Sequence, residues 1–511
     1  MIRAISFTIL ATISGQALNF LTEILIANYF GTSWRADAYL IALLLPMIVY
    51  DMFINGIGAT FVPLYASRRK HGDEKIFFSA VFNAVGLLTV LIGAILFVIA
   101  PYIINLIAAG FSAEARDLTI ALTRMLLFLV VSMPLASVLS NLLNANNVFA
   151  IPALGKAVNA ACIILITVFL VKSLGIYSLV LGYFVGGLVF FAIQIYLVRR
   201  IGIKYVPFAG LDHPALKEMG LLLLPLLLAS LVNYVNIFVE RSVAASFAEG
   251  SIASLNYAFK TVNIPVNMFV LAAMTVVLPT FSRQATEGDA GSLRELTLRG
   301  LKFISFIMLP IILGMIIFRV PLIRLLFERG RFTAGSTAVT ASALLFYVSG
   351  TFGLSVVTLL TRVFYAIKDI KTLSRINIFI IIINIVLILS LSKAFGFKGI
   401  PLTFSITSSV QMLIMMVFLG KKHGLLIAKP FFKSCIKHAI ASVIMAAGCL
   451  PLVVYKDCPL FSSMSGRLVY MALTFVAATI FYTAASFAVK VEEVEFVFQK
   501  VKGLKKNLLW K

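Results

Sequence analysis

Long apolar runs separated by short polar connections make up almost the whole chain. A helix that crosses the hydrocarbon core of a bilayer needs about 20 mostly apolar residues, and fourteen segments are that long. They lie at approximately 5–30, 37–65, 77–107, 118–143, 150–171, 175–198, 218–246, 252–281, 300–327, 337–366, 373–395, 398–420, 434–455 and 467–489. The pattern predicts an all-α polytopic membrane protein with about 14 transmembrane helices.

The composition excludes an ordinary soluble protein. Apolar residues make up 61% of the chain and charged residues 12%, whereas soluble domains have about 45–50% and about 25%. The net charge of +23 would suggest nucleic-acid binding in a soluble protein. Here cationic loops that orient the spans account for it better, so no nucleic-acid partner is predicted.

The distribution of cations predicts the orientation of the spans. With the first residue inside, the inner loops and tail carry 27 Lys and Arg residues and the outer loops carry 11. By the positive-inside rule both termini are cytoplasmic. The first apolar run is much longer than the apolar core of a signal peptide, so we expect it to be retained as the first span.

A polar triplet that occurs twice indicates an internal repeat. Its copies lie 217 positions apart and consist of Gln16, Asn19 and Glu23 in the first span and Asn233, Asn236 and Glu240 in the seventh. Gly175 and Gly396 match at an offset of 221. We therefore predict two six-helix lobes, 1–205 and 206–425, related by a pseudo-twofold axis along the membrane normal. Residues 426–511 then carry helices 13 and 14 and a basic cytoplasmic tail.

Polar residues within the spans fall on helical stripes. Each triplet occupies positions i, i+3 and i+7, one face of a helix, and shorter stripes contain Asp51 with Asn55 and Lys260 with Asn263. Such matched faces predict a hydrated cleft. The alternative is that the amides only hydrogen-bond neighbouring helices to each other.

Of the 43 Lys and Arg residues, five are assigned to neither the inner nor the outer side and lie within the predicted spans: Arg124, Lys156, Arg241, Lys260 and Arg362. A charge at bilayer depth costs at least about 2.5–3.5 kcal/mol, so each needs a partner or water. Lys260 and Arg362 are the better candidates for the cleft, while Arg124 and Lys156 are expected to snorkel or pair near helix ends. Because Glu240 and Arg241 are adjacent and do not share a helix face, we expect Glu240 to point inward.

Motifs for cofactor chemistry are missing from the sequence. It has no GxGxxG, Walker or HExxH pattern, and its four cysteines have no metal-binding spacing. No cofactor, metal site or enzyme activity is therefore predicted. Energy for transport would come from a proton or sodium gradient, the membrane potential or consumption of the product.

Several segments resemble the MurJ (MviN) family of lipid II flippases, within the superfamily of multidrug and oligosaccharidyl-lipid exporters. They are 36–39 (ADAY), 326–333 (LFERGRFT), 362–366 (RVFYA) and 368–372 (KDIKT). The resemblance implies fourteen helices and location in the bacterial inner membrane. It also implies alternating-access transport of a polyprenyl-pyrophosphate-linked saccharide, most simply lipid II, with the polyprenyl tail held along helices 13 and 14.

The chain departs from the family at positions where the family usually carries charge. Gln16 and Thr22 occupy the region of a span 1 arginine, Asp51 and Asn55 replace an Arg and Glu pair, and Lys260 replaces an arginine in span 8. Lysine makes only a point-charge contact with phosphate, whereas arginine binds it through two parallel hydrogen bonds. The substrate is therefore lipid II or another lipid-linked oligosaccharide.

Together these observations give two sets of candidate residues. The substrate-binding candidates are Lys260, Arg362, Gln16, Asn19, Asn55, Asn233, Asn236 and Asn263. The gating or ion-coupling candidates are Glu23, Asp37, Asp51 and Glu240.

Two alternative functions remain open. The first is cation-coupled export of amphipathic small molecules, with Glu23 and Glu240 as ion sites. The second is a non-transporting scaffold that recruits envelope-synthesis partners through its inner loops. Nothing in the sequence requires more than a monomer.

Overall fold

The computed structural model describes residues 2–207, 212–271, 290–425, 427–454, 458 and 463–494. Within these ranges the regular structure is helical, with no β-strand. This confirms the predicted all-α class. The chain divides into two compact units, Met1–Ala253 with Arg329–Phe332, and Ser254–Glu328 with Thr333–Lys511.

The helices described in the first unit are α1 (Ile2–Phe30), α2 (Trp34–Ala42), α3 (Leu44–Lys70), α4 (Glu74–Ile107), α5 (Ala113–Leu126), α6 (Phe128–Ala145), α7 (Ala150–Leu174), α8 (Tyr177–Arg200) and α9 (Pro214–Ala245). Helix α3 packs on α6 and α9, while α1 and α8 both pack on α7. Phe61 of α3, Phe77 of α4 and Leu142 of α6 are fully buried in one apolar core. The core holds these three helices together.

The α-helices described in the second unit are α10 (Ser251–Pro265, which begins in the first unit), α11 (Ala290–Ile317), α12 (Arg319–Phe327), α13 (Ala334–Ala366), α14 (Ile370–Phe395), α15 (Gly399–His423), α16 (Ala428–Val454) and α17 (Met464–Ala488). Helix α13 packs on α11 and α15. A π-helix, Val266–Leu271, follows α10, and a 3₁₀ turn, Gly396–Lys398, joins α14 to α15.

Eleven segments of the described chain are long and apolar enough to cross a membrane. One of them, Ile370–His423, contains both α14 and α15, and α9 and α10 lie where spans seven and eight are predicted. Side chains such as Phe169, Phe475 and Val454 are more than two-thirds exposed, as expected for faces that contact lipid. The chain is a multi-pass membrane protein.

Three predicted spans are interrupted within the membrane segment. The span predicted at 37–65 breaks at Leu43, the span predicted at 118–143 at Leu127 and the span predicted at 300–327 at Phe318. Both leucines keep a right-handed helical backbone. Neither proline nor glycine marks these positions, which is why the apolar pattern did not reveal them.

The units do not divide at the predicted lobe boundary. Helix α9, which the repeat assigns to the second lobe, packs against α3 and α4 in the first unit. The repeat itself has support from the two matched glycines. Gly175 ends α7 and Gly396 ends α14, with φ of 56° and 61°, a left-handed conformation that glycine adopts without a steric cost. The lobe boundaries stay a prediction.

Two side-chain networks connect helices in the second unit. His438 of α16 lies 2.8 Å from Ser305 Oγ of α11 and 3.0 Å from Glu493. The Tyr482 hydroxyl of α17 donates to the Phe306 carbonyl over 2.7 Å. These contacts join the two helices outside the repeat to α11.

The second network surrounds Asp369, at the predicted cytoplasmic ends of α14 and α15. Its carboxylate lies 2.7 Å from Lys422 Nζ and 2.8 Å from His423 Nε2, and it accepts a hydrogen bond from the Thr372 backbone N–H. The hydrogen bond from Lys422, with that from His423, holds the pKa of Asp369 well below its ordinary value. The carboxylate therefore stabilises the hairpin of α14 and α15 while it is ionised.

This network predicts that the protein loses stability in acid. A carboxyl group with a lowered pKa in the folded state contributes stability above its unfolded pKa of about 3.9 and loses it as pH falls further. We expect the thermal midpoint of the purified protein to fall below about pH 4. The Asp369→Asn variant should start lower at pH 7 and show a shallower acid slope than both wild type and Asp117→Asn, an exposed control on α5. Equal slopes would contradict this role.

Candidate functional site

The candidate amides of the first span are accessible. Gln16 and Asn19 are exposed on α1, and Glu23 is half-buried. Helix α1 lies close to α7 here, because a Cβ added to Gly15 would be 3.2 Å from the Cβ of Lys156. Gln16 therefore directly follows Gly15, a residue of α1 that lies close to Lys156 on α7.

Asp51 belongs to a small polar cluster in the first unit. Tyr234 of α9 donates a hydrogen bond to its carboxylate, and the charge of Lys156 acts on the same carboxylate. Asp51 and Lys156 are both exposed. The cluster contains a base, a hydroxyl and a cation, so it has the groups to bind a cation or to hydrogen-bond a polar substrate.

The second copy of the polar triplet is only partly described. The side chains of Asn233 and of Asn55 on α3 lie outside the described residues. The side-chain oxygen of Asn236 is buried and has no hydrogen-bond partner in the part of the chain that the structure describes. Glu240 is half-buried. Arg241 is the next residue on the helix, and its positive charge acts on the Glu240 carboxylate.

Asp37 caps the start of α10. Its side chain is 2% exposed, and its two oxygens accept hydrogen bonds from the backbone N–H groups of Gly250 (2.6 Å) and Ala253 (2.7 Å). The first N–H groups of a helix have no partner within the helix, so a carboxylate there satisfies them. Gly250 has φ of +81° and packs against the Thr32 carbonyl. This contact ties the start of α2 to the start of α10.

Lys260 lies on α10 beside an aromatic cluster of the second unit. The ring of Phe259 is 5.4 Å from that of Tyr347 on α13 and 5.7 Å from that of Phe404 on α15. Lys260 is exposed and Asn263 half-buried, and the Asn263 amide donates to the Phe259 carbonyl over 2.8 Å. The aromatic cluster fixes the part of α10 that carries Lys260.

Arg362 lies near the predicted cytoplasmic end of α13. It is half-buried, four residues before the helix ends at Ala366, and fifteen residues beyond Tyr347. At 1.5 Å per residue, Tyr347 and Arg362 are about 22 Å apart along the helix. Arg362 has no hydrogen bond or ion pair with any residue in the described ranges. The two candidate cations, Lys260 and Arg362, thus lie at different levels of the second unit.

The sequence missed two members of the cluster around Asp51. The sequence predicts that Lys156 snorkels or pairs near a helix end, and Tyr234 is not among the candidate residues. The one available signal was that Tyr234 directly follows Asn233 in the polar stripe. Among the described residues no group of three or more His, Cys, Asp or Glu side chains is arranged to hold a metal ion.

A multi-pass helical protein whose spans carry charged and amide side chains has the construction of a transporter for polar or amphipathic solutes. Comparison with known families identifies it further. The family model described as "Lipid II flippase MurJ" matches residues 26–481. Because that match covers most of the chain, the chain belongs to the MurJ family.

Individual relatives agree with this assignment. The chain is 25% identical over 457 residues to the lipid II flippase MurJ of Burkholderia cenocepacia, covering 86% of this chain and 87% of that protein. A solved MurJ structure in an inward closed conformation has a TM-score of 0.81 and 26% identity, covering 95% of this chain and 99% of its own. An inward-facing multidrug transporter of the MATE family shares the fold, with a TM-score of 0.68 at 15% identity over 81% of this chain and 96% of its own.

Proposed function

We propose that this protein is a transporter, not an enzyme, that moves lipid II from the inner to the outer leaflet of the bacterial plasma membrane. Both termini are then cytoplasmic. The observation that carries the proposal is the match of the lipid II flippase family over residues 26–481. The charged and amide side chains on the spans supply contacts for a polar headgroup.

The positions of the two cations suggest an order of contacts. Arg362, near the predicted cytoplasmic end of α13, meets the pyrophosphate first and binds its oxygens through two parallel hydrogen bonds. Lys260, nine residues into α10 from its predicted outer end, receives the charge deeper in the membrane. The exposed amides Gln16 and Asn19 then hydrogen-bond the saccharide. Alternating access completes the cycle.

Energy coupling is assigned to the acidic residues of the first unit. The Asp51 carboxylate interacts with the Tyr234 hydroxyl and with the charge of Lys156. A proton or sodium ion that binds this carboxylate neutralises its charge and thereby weakens its attraction to Lys156. Glu23 and Glu240 are further carboxylates on the repeated stripes. No cofactor is needed for such a cycle. Asp37 serves as the gating residue because it links the starts of two membrane-spanning helices.

The proposal is tested by depleting the protein in its native cell and labelling lipid-linked precursors from one leaflet at a time. We expect pyrophosphate-linked precursor to collect on the inner leaflet and to be cleared by wild-type protein. Protein with Gln16→Ala and Asn19→Ala together should clear it more slowly, because the saccharide loses hydrogen bonds of about 1 kcal/mol each. The control is Lys172→Gln, which replaces an exposed cation in the last turn of α7.

Three outcomes separate the alternatives. A saccharide other than that of lipid II on the trapped precursor would assign a different lipid-linked oligosaccharide. Unchanged precursors together with accumulation of amphipathic drugs would favour the exporter. If cleft substitutions are silent while substitutions in the inner loops are not, the scaffold is favoured and transport is refuted.

A further inference from the structure

Helices α14 and α15 leave two adjoining crevices on the surface of the second unit. Their volumes are about 380 and 320 Å³. Phe418 lines both crevices. The crevices lie where α14 begins and α15 ends, which is the end of this hairpin that the cation distribution places on the cytoplasmic side.

The rim of the crevices is cationic. Arg375 lines the larger crevice, and Lys421 and Lys422 line the smaller one. Lys422 is neutralised by Asp369, 2.7 Å away. Arg375 and Lys421 are exposed and form no ion pair with any residue that the structure describes. Two cations at the rim of the crevices therefore have no anionic partner within the described ranges of the chain.

The walls of the crevices are apolar. Phe379, Val417 and Phe418 are 52%, 50% and 44% exposed, and Ile376 forms a buried floor. Phe379 lies one turn deeper in α14 than Arg375, and Ile414 lies seven residues, about 10 Å, deeper in α15 than Lys421. Each helix thus presents a cation at the membrane boundary and an apolar surface towards the hydrocarbon.

We propose that these crevices bind an anionic diacyl phospholipid of the inner leaflet. Its phosphate lies between Arg375 and Lys421, and an acyl chain runs along Phe379, Phe418 and Ile414. Charge complementarity selects this ligand, because basic recesses between spans on the cytoplasmic side suit anionic headgroups. The guanidinium of Arg375 contributes a bidentate contact with the phosphate. Bound lipid fills the space between the two helices and thereby stabilises their hairpin.

The test uses full-length protein in lipid nanodiscs of phosphatidylcholine that contain a small fraction of photoactivatable phosphatidylglycerol. After illumination, crosslinked peptides are mapped by mass spectrometry. We expect labelling within 375–379 and 414–422, and much weaker labelling with photoactivatable phosphatidylcholine. The double variant Arg375→Gln, Lys421→Gln should lower phosphatidylglycerol labelling there on the order of tenfold, as the loss of charge-assisted contacts predicts.

The matched control has the same charge change at the opposite ends of the same helices. Lys393→Gln with Lys398→Gln should leave the labelling of the crevice unchanged. Equal labelling by the two lipids, or an equal effect of both double variants, would overturn the proposal. Displacement of phosphatidylglycerol by an equimolar polyprenyl pyrophosphate would also overturn it, since the crevice would then be a substrate entry site. No outcome depends on transport, so this proposal and the flippase proposal can fail separately.

Discussion

Replacing Asp37 with alanine is expected to abolish complementation at normal protein levels. The substitution leaves two N–H groups at the start of α10, those of Gly250 and Ala253, without their acceptors. A buried polar group that loses its partner costs about 1–3 kcal/mol, so the pair costs roughly 2–6 kcal/mol. This contact joins the starts of α2 and α10, which both lie on the predicted outer side of the membrane. We therefore expect its loss to destabilise the conformation in which the transporter is closed to the outside.

The effect is measured as growth after depletion and as the labelling rate of a cysteine placed at Thr32. Thr32 is half-buried and its carbonyl packs against Gly250. Labelling should be faster in Asp37→Ala, and Asp37→Asn should be intermediate, because the amide retains one acceptor oxygen. Asp117→Ala, an exposed carboxylate on α5, controls for the loss of charge. Normal complementation with slow labelling in folded Asp37→Ala would refute the gating role.

The sequence identifies Asp37 as a candidate residue but does not reveal its hydrogen-bond partners. Its motif identified it as a candidate through the family resemblance, but its partners are backbone groups more than 200 residues away. Backbone N–H groups have no residue-specific signature in a sequence. The one local sign is Gly250, whose φ of +81° suits glycine, and glycine is too common in this chain to single it out.

The spans themselves were predictable because the bilayer sets their length. Every predicted span coincides with a helix, or with two helices in series, over the residues that the structure describes. Breaks within apolar runs were not predictable. Leu43 and Leu127 are ordinary helix-forming residues, so these interruptions depend on tertiary packing and not on local propensity.

The polar stripes were recognised from spacing, but spacing does not give depth or pairing. Asp51 was a candidate from its own helix, whereas its partners Lys156 and Tyr234 come from two other helices. Lys260 and Arg362 are both candidates because they are charged residues in predicted spans. Their different levels became visible only through the contact between Phe259 and Tyr347.

These different levels predict that the two cations act at successive steps. Arg362→Ala should weaken capture of the pyrophosphate from the inner leaflet by about ten- to hundredfold, since a hydrogen bond to a charged group contributes about 1.5–3 kcal/mol. Arg362→Lys should recover part of the loss, because lysine keeps the charge without the bidentate geometry. Lys260→Ala should leave capture nearly intact and block appearance of the lipid in the outer leaflet.

Capture and translocation are separated by crosslinking a photoactivatable polyprenyl-pyrophosphate saccharide to protein in vesicles, followed by extraction of the lipid that reached the far leaflet. Lys260→Arg is expected to retain translocation, and Lys172→Gln should match wild type in both measurements. In the double variant Arg362→Ala, Lys260→Ala, capture should fall no further than in Arg362→Ala alone, because Lys260 acts after the substrate is bound. A common loss of capture in both single variants would instead mean that the cations bind one phosphate pair together, and the sequential assignment would be wrong.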